Sequence, residues 1–421
     1  MPDLSIDFCG IKSPNPFWLA SAPPTNSGIQ IMRAFDLGWG GAVWKTLGKP
    51  IINVSSRLGL LKRHNNKILG LNNIELITDR SLDINFKEIY EVKKRFAKNT
   101  LIVSLMVETK KEWKDIIQRS QDSGADGLEL NFGCPHGMCE NGMGSAVGEE
   151  PKILKRITSW VSEMSTLPVI IKLTPNVTDI NITAKAGIEG GANGISIINT
   201  VKSIIGVNLD KMIPEPVVGN FSTNGGYCGP AVKPIALYML AQLAKNPKIK
   251  IPISGIGGIS NWYDAAEFIS LGATSVQVCT AVMNYGYRII LDMLDGLNNF
   301  LIDKKFKSLN SLFGRAIPLL KSWKDLNLKY RVVASIDPKS CVGCNLCYIA
   351  CLDGGHQSIL LPDIKKNDIH KTGHSVEAFN FVFNQNKGNS SIPIIYEPDC
   401  VGCNLCKYVC PIEDCITMEQ R

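Results

Sequence analysis

Cys341-Val-Gly-Cys344-Asn-Leu-Cys347-x-x-x-Cys351 recurs as Cys400-Val-Gly-Cys403-Asn-Leu-Cys406-x-x-x-Cys410-Pro411. Four thiolates at this spacing, present twice, form the ligand set of two cubane iron–sulfur clusters. The C-x-x-C turns let three sulfurs of each run converge, and the fourth reaches across to the other cluster. Cys341, Cys344, Cys347 and Cys410 are therefore expected on one [4Fe–4S] cluster, and Cys400, Cys403, Cys406 and Cys351 on the other. A zinc ribbon would use paired C-x-x-C knuckles rather than three successive ligating turns plus a lone fourth. Residues 335–421 thus read as a small α+β ferredoxin-like domain, and the chain handles single electrons.

Upstream of the tail, residues 303–334 read as a linker, and residues 1–302 alternate short β-rich runs with helical-period segments. Strands are predicted at Phe17–Ser21, Ala42–Thr46, Leu101–Met106, Gly127–Phe132, Val169–Leu173, Gly194–Asn199, Ile251–Gly255 and Ser275–Thr280. Amphipathic helices between them include Lys110–Ser123, Glu150–Met164, Asp179–Glu189 and Ala231–Leu243. Eight strands, each followed by a helix, make the count of an α/β (β/α)₈ TIM barrel. The opening Ile6–Trp18 segment is expected to close the barrel floor as a hairpin. A doubly wound sheet is disfavoured because no strand is followed by the dinucleotide fingerprint G-x-G-x-x-G.

A chain of 421 residues with 45% apolar side chains can bury a large core. Cys9, Cys134, Cys139, Cys228, Cys279 and Cys415 lie outside the two motifs, scattered rather than arrayed as a disulfide framework. Cluster ligation favours a reducing compartment. The start, Met1-Pro-Asp-Leu-Ser-Ile-Asp, lacks a basic region followed by an apolar run, and no stretch approaches a membrane span. The expectation is a cytoplasmic protein with no membrane partner. The formal charge of +7 is spread along the chain, and anionic cofactors offset it, so no nucleic-acid partner is implied. The polar insert 363–391, with His370 and His374, is expected as a surface loop.

Catalytic groups of (β/α)₈ enzymes stand at the C-terminal ends of strands. Those positions carry Ser21, Lys45-Thr46, Met106, Asn131, Lys172, Asn199-Thr200, Gly257-Gly258 and Thr280, each following apolar residues. Gly255-Ile-Gly257-Gly258 after strand seven and Cys279-Thr280 after strand eight match the phosphate site of such barrels. Clusters in the same chain select a flavin mononucleotide over a sugar phosphate, because flavin converts hydride chemistry into single-electron steps. The Gly-rich loop Asn131-Phe132-Gly133-Cys134-Pro135-His136 hangs over the mouth. A Cys followed by Pro on such a loop suits an acid/base role, with His136 tuning it or capping the loop.

These motifs resemble the dihydropyrimidine dehydrogenase family. Asn131-x-x-Cys134-Pro-His136-Gly-Met, Lys172-Leu-Thr-Pro-Asn-Val-Thr-Asp179, Asn199-Thr200-Val and Cys351-x-Asp-Gly-Gly-His-Gln carry the resemblance, which runs over nearly the whole chain. It is strongest to the bacterial NAD-dependent type, in the subunit holding FMN and two [4Fe–4S] clusters. The resemblance implies that Cys134 is the general acid, with Lys172 and His136 supporting catalysis. It implies that Asn73, Asn131, Phe132, Gly133, Asn199 and Thr200 bind the pyrimidine. FMN would be bound by Ser21, Lys45, Thr46, Lys172, Gly229, Gly257, Gly258, Cys279 and Thr280. Cys139 adds a thiol to the family's loop, and the insert 363–391 is longer than the family pattern. The family's long FAD/NAD portion is absent, so electrons are expected from a separate FAD/NAD-binding subunit in a hetero-oligomer.

The implied reaction reduces uracil or thymine to the 5,6-dihydro form, with hydride from FMN to C6 and a proton from Cys134 to C5. An Asn amide offers one donor and one acceptor to the imide edge of uracil. Two other functions are compatible with the motifs. One is a dihydroorotate dehydrogenase-like flavoenzyme fused to a ferredoxin. The other is an electron-transfer scaffold, which leaves the strand-end Lys and Asn set unexplained.

Overall fold

The computed structural model describes residues 1–62, 68–135, 142–362 and 392–421. It divides into two compact units, Met1–Leu320 and Lys321–Arg421. The insert 363–391, His136 and Cys139 lie outside the described residues.

In the first unit, eight parallel strands close into a barrel. They are β1 (Phe17–Leu19), β2 (Gly41–Leu47), β3 (Thr100–Leu105), β4 (Gly127–Asn131), β5 (Val169–Lys172), β6 (Gly194–Ile197), β7 (Ile253–Ile256) and β8 (Ser275–Val278). Neighbours in sequence are neighbours around the barrel, and β8 pairs with β1 to shut it. β7 starts later than the predicted Ile251–Gly255 because Pro252 has no N–H to give the ladder, although its carbonyl accepts from Ile195 N at 3.0 Å. Helices return the chain between strands. Thr109 opens one with a capping box: its hydroxyl accepts from Glu112 N–H while the Glu112 carboxylate accepts from Thr109 N–H.

The barrel interior is layered. Its floor is apolar, formed by Trp18, Val43, Ile102 and Ile170 against Phe8 and Ile11 of the hairpin Ile6–Phe8/Ile11–Ser13. Phe8 and Trp18 meet edge-to-face at 5.3 Å. Above the floor the sequence expectation of apolar residues preceding each strand end fails. Ser104, Glu129, Ser196, Ser254, Ser275 and Gln277 form a fully or almost fully buried polar layer. It is tolerated because its members bond one another: Ser275 Oγ donates to Ser254 Oγ at 2.8 Å, and Ser196 Oγ donates to Glu129 at 2.8 Å. Outward-facing strand residues such as Phe17, Trp44 and Leu101 build the larger core beneath the helices.

A second sheet over the mouth has no counterpart in the sequence prediction. Its antiparallel order is Val201–Ser203, Gly225–Cys228, Ile68–Asn73 and Leu58–Lys62. Gly70 lets it close, since a Cβ there would stand 2.1 Å from the Tyr227 hydroxyl. Residues 303–320 belong to this first unit, held by paired backbone bonds between Asp3 and the 307–309 stretch and by buried Leu309 and Leu312.

The second unit is built on an antiparallel pair, Val332–Ile336 with Ile416–Gln420, and on helices Leu346–Gly354 and Leu405–Val409. Residues 321–334 fold with it. The repeated Gly-Cys-Asn of the two motifs has a backbone cause. Gly343, Asn345, Gly402 and Asn404 all take positive φ, between 60° and 70°. Gly and Asn tolerate that conformation best, and it lets the chain turn tightly on either side of Cys344 and Cys403.

Candidate active site

A cavity of about 1160 Å³, measured out to its opening, occupies the C-terminal end of the barrel. Ser21, Lys45, Thr46, Asn131, Lys172, Asn199, Thr200, Gly257, Gly258, Cys279 and Thr280 all line it, brought there by strand ends. Asn73 and Gly229 reach it from the mouth sheet, and Cys134 from the loop after β4. Phe132 and Gly133 do not line it. Successive residues of a strand face opposite sides, so Phe132 turns into the main core at 2% exposure while Asn131 turns inward. Gly133 is packed against Asn199, which a Cβ would meet at 2.3 Å.

One wall is a chain of linked amides and hydroxyls. Asn199 Nδ2 donates to Asn131 Oδ1 at 2.9 Å, and Asn131 Nδ2 donates to Thr46 Oγ1 at 3.0 Å. Thr46 Oγ1 lies 3.2 Å from Ser21 Oγ. Thr200 N–H donates to Asn199 Oδ1, and Glu75 N–H donates to Asn73 Oδ1. These bonds use only part of each amide's capacity, so the wall keeps both N–H donors and carbonyl acceptors for a guest.

Both lysines of the lining are paired. Lys45 Nζ lies 2.5 Å from Glu75, which Arg57 also approaches at 3.0 Å. Lys172 Nζ lies 3.5 Å from Glu129. Neither glutamate stands out in the sequence. Glu129 could have been found as a lone acid at the centre of Gly127-Leu-Glu-Leu-Asn131, sharing the inward period of Asn131.

Cys134 is 9% exposed, packs beside Ile77 and Met106 and lines the cavity. Its carbonyl accepts from Ser145 N–H at 2.9 Å, and Gly144 (φ 58°) crosses it closely. Two further thiols line the cavity. Burial pushes Cys279 well above the ordinary thiol range, and the neighbouring Cys228 adds to the effect. Burial also raises Cys228, against the opposing influence of the Thr280 hydroxyl, which donates to its sulfur at 3.4 Å. Both shifts favour the neutral thiol.

The residues fit a phosphate-bearing flavin. Gly229, Gly257 and Gly258 all have positive φ and converge, a Cβ at Gly258 falling 2.9 Å from Gly229 O. Backbone thus lines this wall without side chains, the arrangement in which N–H groups can approach phosphate oxygens.

In the second unit the eight motif thiols frame two cavities. Cys341, Cys344, Cys347 and Cys410 line one of about 330 Å³, with Cys415 beside them. Cys351, Cys400, Cys403 and Cys406 line another of about 350 Å³. The fourth cysteine of each run thus stands with the other run. Among the described residues no group of three or more Cys, His, Asp or Glu side chains is placed to hold a single metal ion. His356 is exposed. Among the described residues, no helix is long and apolar enough to cross a membrane.

The dihydroorotate dehydrogenase family model matches residues 3–301, and a 4Fe-4S dicluster domain model matches residues 340–414. The chain is 44% identical over 359 residues to the NAD-dependent dihydropyrimidine dehydrogenase subunit PreA of Escherichia coli (strain K12), covering 85% of this chain and 87% of that one. It is 40% identical over 338 residues to the chloroplastic dihydropyrimidine dehydrogenase (NADP(+)) of Arabidopsis thaliana, covering 77% and 79%. It is 34% identical over 319 residues to the catalytic subunit of dihydroorotate dehydrogenase B (NAD(+)) of Pyrococcus horikoshii, covering 75% and 98%.

Proposed function

The chain belongs to the dihydroorotate dehydrogenase family and is an iron–sulfur flavoprotein oxidoreductase of the dihydropyrimidine dehydrogenase kind, and from that premise we propose that it reduces uracil or thymine to the 5,6-dihydro form. FMN and two [4Fe–4S] clusters are the proposed cofactors: when bound, they supply a hydride and the single-electron steps that replenish it. Ser21, Lys45, Thr46, Lys172, Gly229, Gly257, Gly258, Cys279 and Thr280 would hold FMN. The eight motif cysteines, divided as the two cavities divide them, would hold the clusters.

The chain's own residues then have definite work. Asn73, Asn131, Asn199 and Thr200 orient the ring by its imide edge. A ring unable to match them leaves buried amides unpaired, at about 1–3 kcal/mol each. Cys134 holds a proton at Sγ and delivers it to C5 as C6 gains a hydride, so the ring takes up two hydrogens and the thiolate is reprotonated from solvent. Ile77 and Met106 pack against Cys134 and fix its place at the cavity wall.

One observation carries the choice of a neutral pyrimidine over orotate. Among the described residues, both lysines of the lining already face a buried carboxylate. The wall's neutral amides offer both donors and acceptors to an uncharged imide, whereas the orotate carboxylate calls for a further cation facing into the cavity. Electrons are proposed to come from a separate FAD/NAD-binding subunit that oxidises NAD(P)H, in keeping with the Escherichia coli relative being named a subunit of an NAD-dependent enzyme. The thiolate ligand sets favour the cytoplasm as the working compartment.

The test is an anaerobic titration of dithionite-reduced protein, following flavin reoxidation. Uracil is expected to reoxidise it and orotate not to. Reoxidation by orotate alone would replace this reading with the dihydroorotate one, and purified protein lacking flavin would remove both.

A further inference from the structure

Beneath the cavity the barrel holds a carboxylate that the proposed reaction leaves unused. Glu129 is fully inaccessible to solvent. Its Oε2 accepts from Ser196 Oγ at 2.8 Å and from Gln277 Nε2 at 3.2 Å. Among the described residues its Oε1 has no hydrogen-bond partner, and Lys172 Nζ stands 3.5 Å away. Strand register fixes the arrangement: Lys172 pairs with Asn131 on one side and Ser196 on the other, and Glu129 lies one inward step below Asn131. Lys172 lines the cavity and Glu129 does not.

A buried carboxylate away from water is strongly disfavoured unless a counter-charge and hydrogen bonds compensate it. Ser196 and Gln277 provide the bonds, and Lys172 is the neighbouring cation. Anything resting on the cavity floor therefore feels an ammonium whose field is partly cancelled from below.

We propose that Glu129 is a positioning residue for Lys172, holding the ammonium at the cavity floor and, as its counter-charge, setting how strongly the site favours the reduced, more negative form of the flavin. The proposal rests on the reading that Lys172 borders FMN. The sign follows from Coulomb's law. Removing the carboxylate charge leaves an uncompensated cation beside the flavin and makes reduction easier. Removing the cation makes reduction harder.

The experiment is an anaerobic titration of the flavin midpoint potential in the full-length protein, its Glu129→Gln variant and its Lys172→Met variant. Glu129→Gln is expected to shift the equilibrium tenfold or more toward the reduced flavin, about 30 mV upward for a two-electron couple. Lys172→Met is expected to shift it downward. Should Glu129→Gln fail to fold, Glu129→Asp carries the test. It keeps the charge but withdraws it from Lys172, and a smaller upward shift is expected. A folded, flavin-loaded Glu129 variant with an unchanged potential, beside a Lys172→Met variant that does shift, overturns the proposal and leaves the flavin reading standing. If neither variant shifts the potential, both fall.

Discussion

The Lys45 ammonium lies 2.5 Å from the Glu75 carboxylate, and their side chains are only 5% and 8% exposed. The pair joins the end of β2 to the turn after the mouth-sheet strand Ile68–Asn73, so it pins the lid sheet to the barrel rim. Arg57 shares the same carboxylate oxygen from the more exposed side.

Removing one member of such a pair strands the other in a poorly solvated site. Glu75→Ala is expected to cost roughly 3–5 kcal/mol of stability. Replacing both, as Lys45→Met with Glu75→Leu, is expected to recover most of it. Urea midpoints of the two variants check this. A single variant as stable as the wild type would mean the pair is not holding the rim.

Cys134 is expected to be separable from cofactor retention. Cys134→Ala keeps flavin and clusters yet loses turnover by about 10²–10⁴-fold, the usual range for a lost general acid. Gly144→Ala is expected to mimic it from outside, because φ is 58° and the added Cβ would stand 2.7 Å from Cys134 O. Turnover assays with flavin and iron content measured alongside distinguish chemistry from unfolding. Full turnover in Cys134→Ala would remove the thiol from the reaction.

Because each motif lends its fourth thiol to the other cavity, cluster loss should follow space rather than sequence. Cys410→Ser is expected to deplete the cluster of Cys341, Cys344 and Cys347, and Cys351→Ser that of Cys400, Cys403 and Cys406. Iron content and electron paramagnetic resonance of the reduced proteins read the result. Indistinguishable spectra from the two variants would count against the crossed division.

Cys9 gives a pH dependence with a defined sign. Burial, helped by the Asp7 carboxylate, pushes its thiol up to about 12. Its Sγ donates to Asn193 O at 3.1 Å. In the unfolded chain this thiol ionises near its ordinary value, so between about pH 9 and 12 unfolding releases a proton and stability falls as pH rises. Cys9→Ala is expected to flatten that alkaline decline in the urea midpoint while leaving stability at pH 7 little changed in slope. An unaltered decline would place its origin elsewhere, among thiols such as Cys228 and Cys279.

Several features were readable from the chain alone because they are local. Ligand spacing in Cys341–Cys351 and Cys400–Cys410 is set by one turn of backbone, and alternating apolar runs with helical segments dictate a parallel barrel. Strand ends place Lys45, Asn131, Lys172 and Asn199 at one mouth whatever the loops do. What only the tertiary structure decided is which groups meet across distant strands. The pairing of Lys45 with Glu75, the Glu129 layer under Lys172 and the turning of Phe132 away from the cavity all depend on register and on where each strand stops. A slip of one residue would exchange the inward and outward faces, and neither composition nor motif spacing fixes that choice.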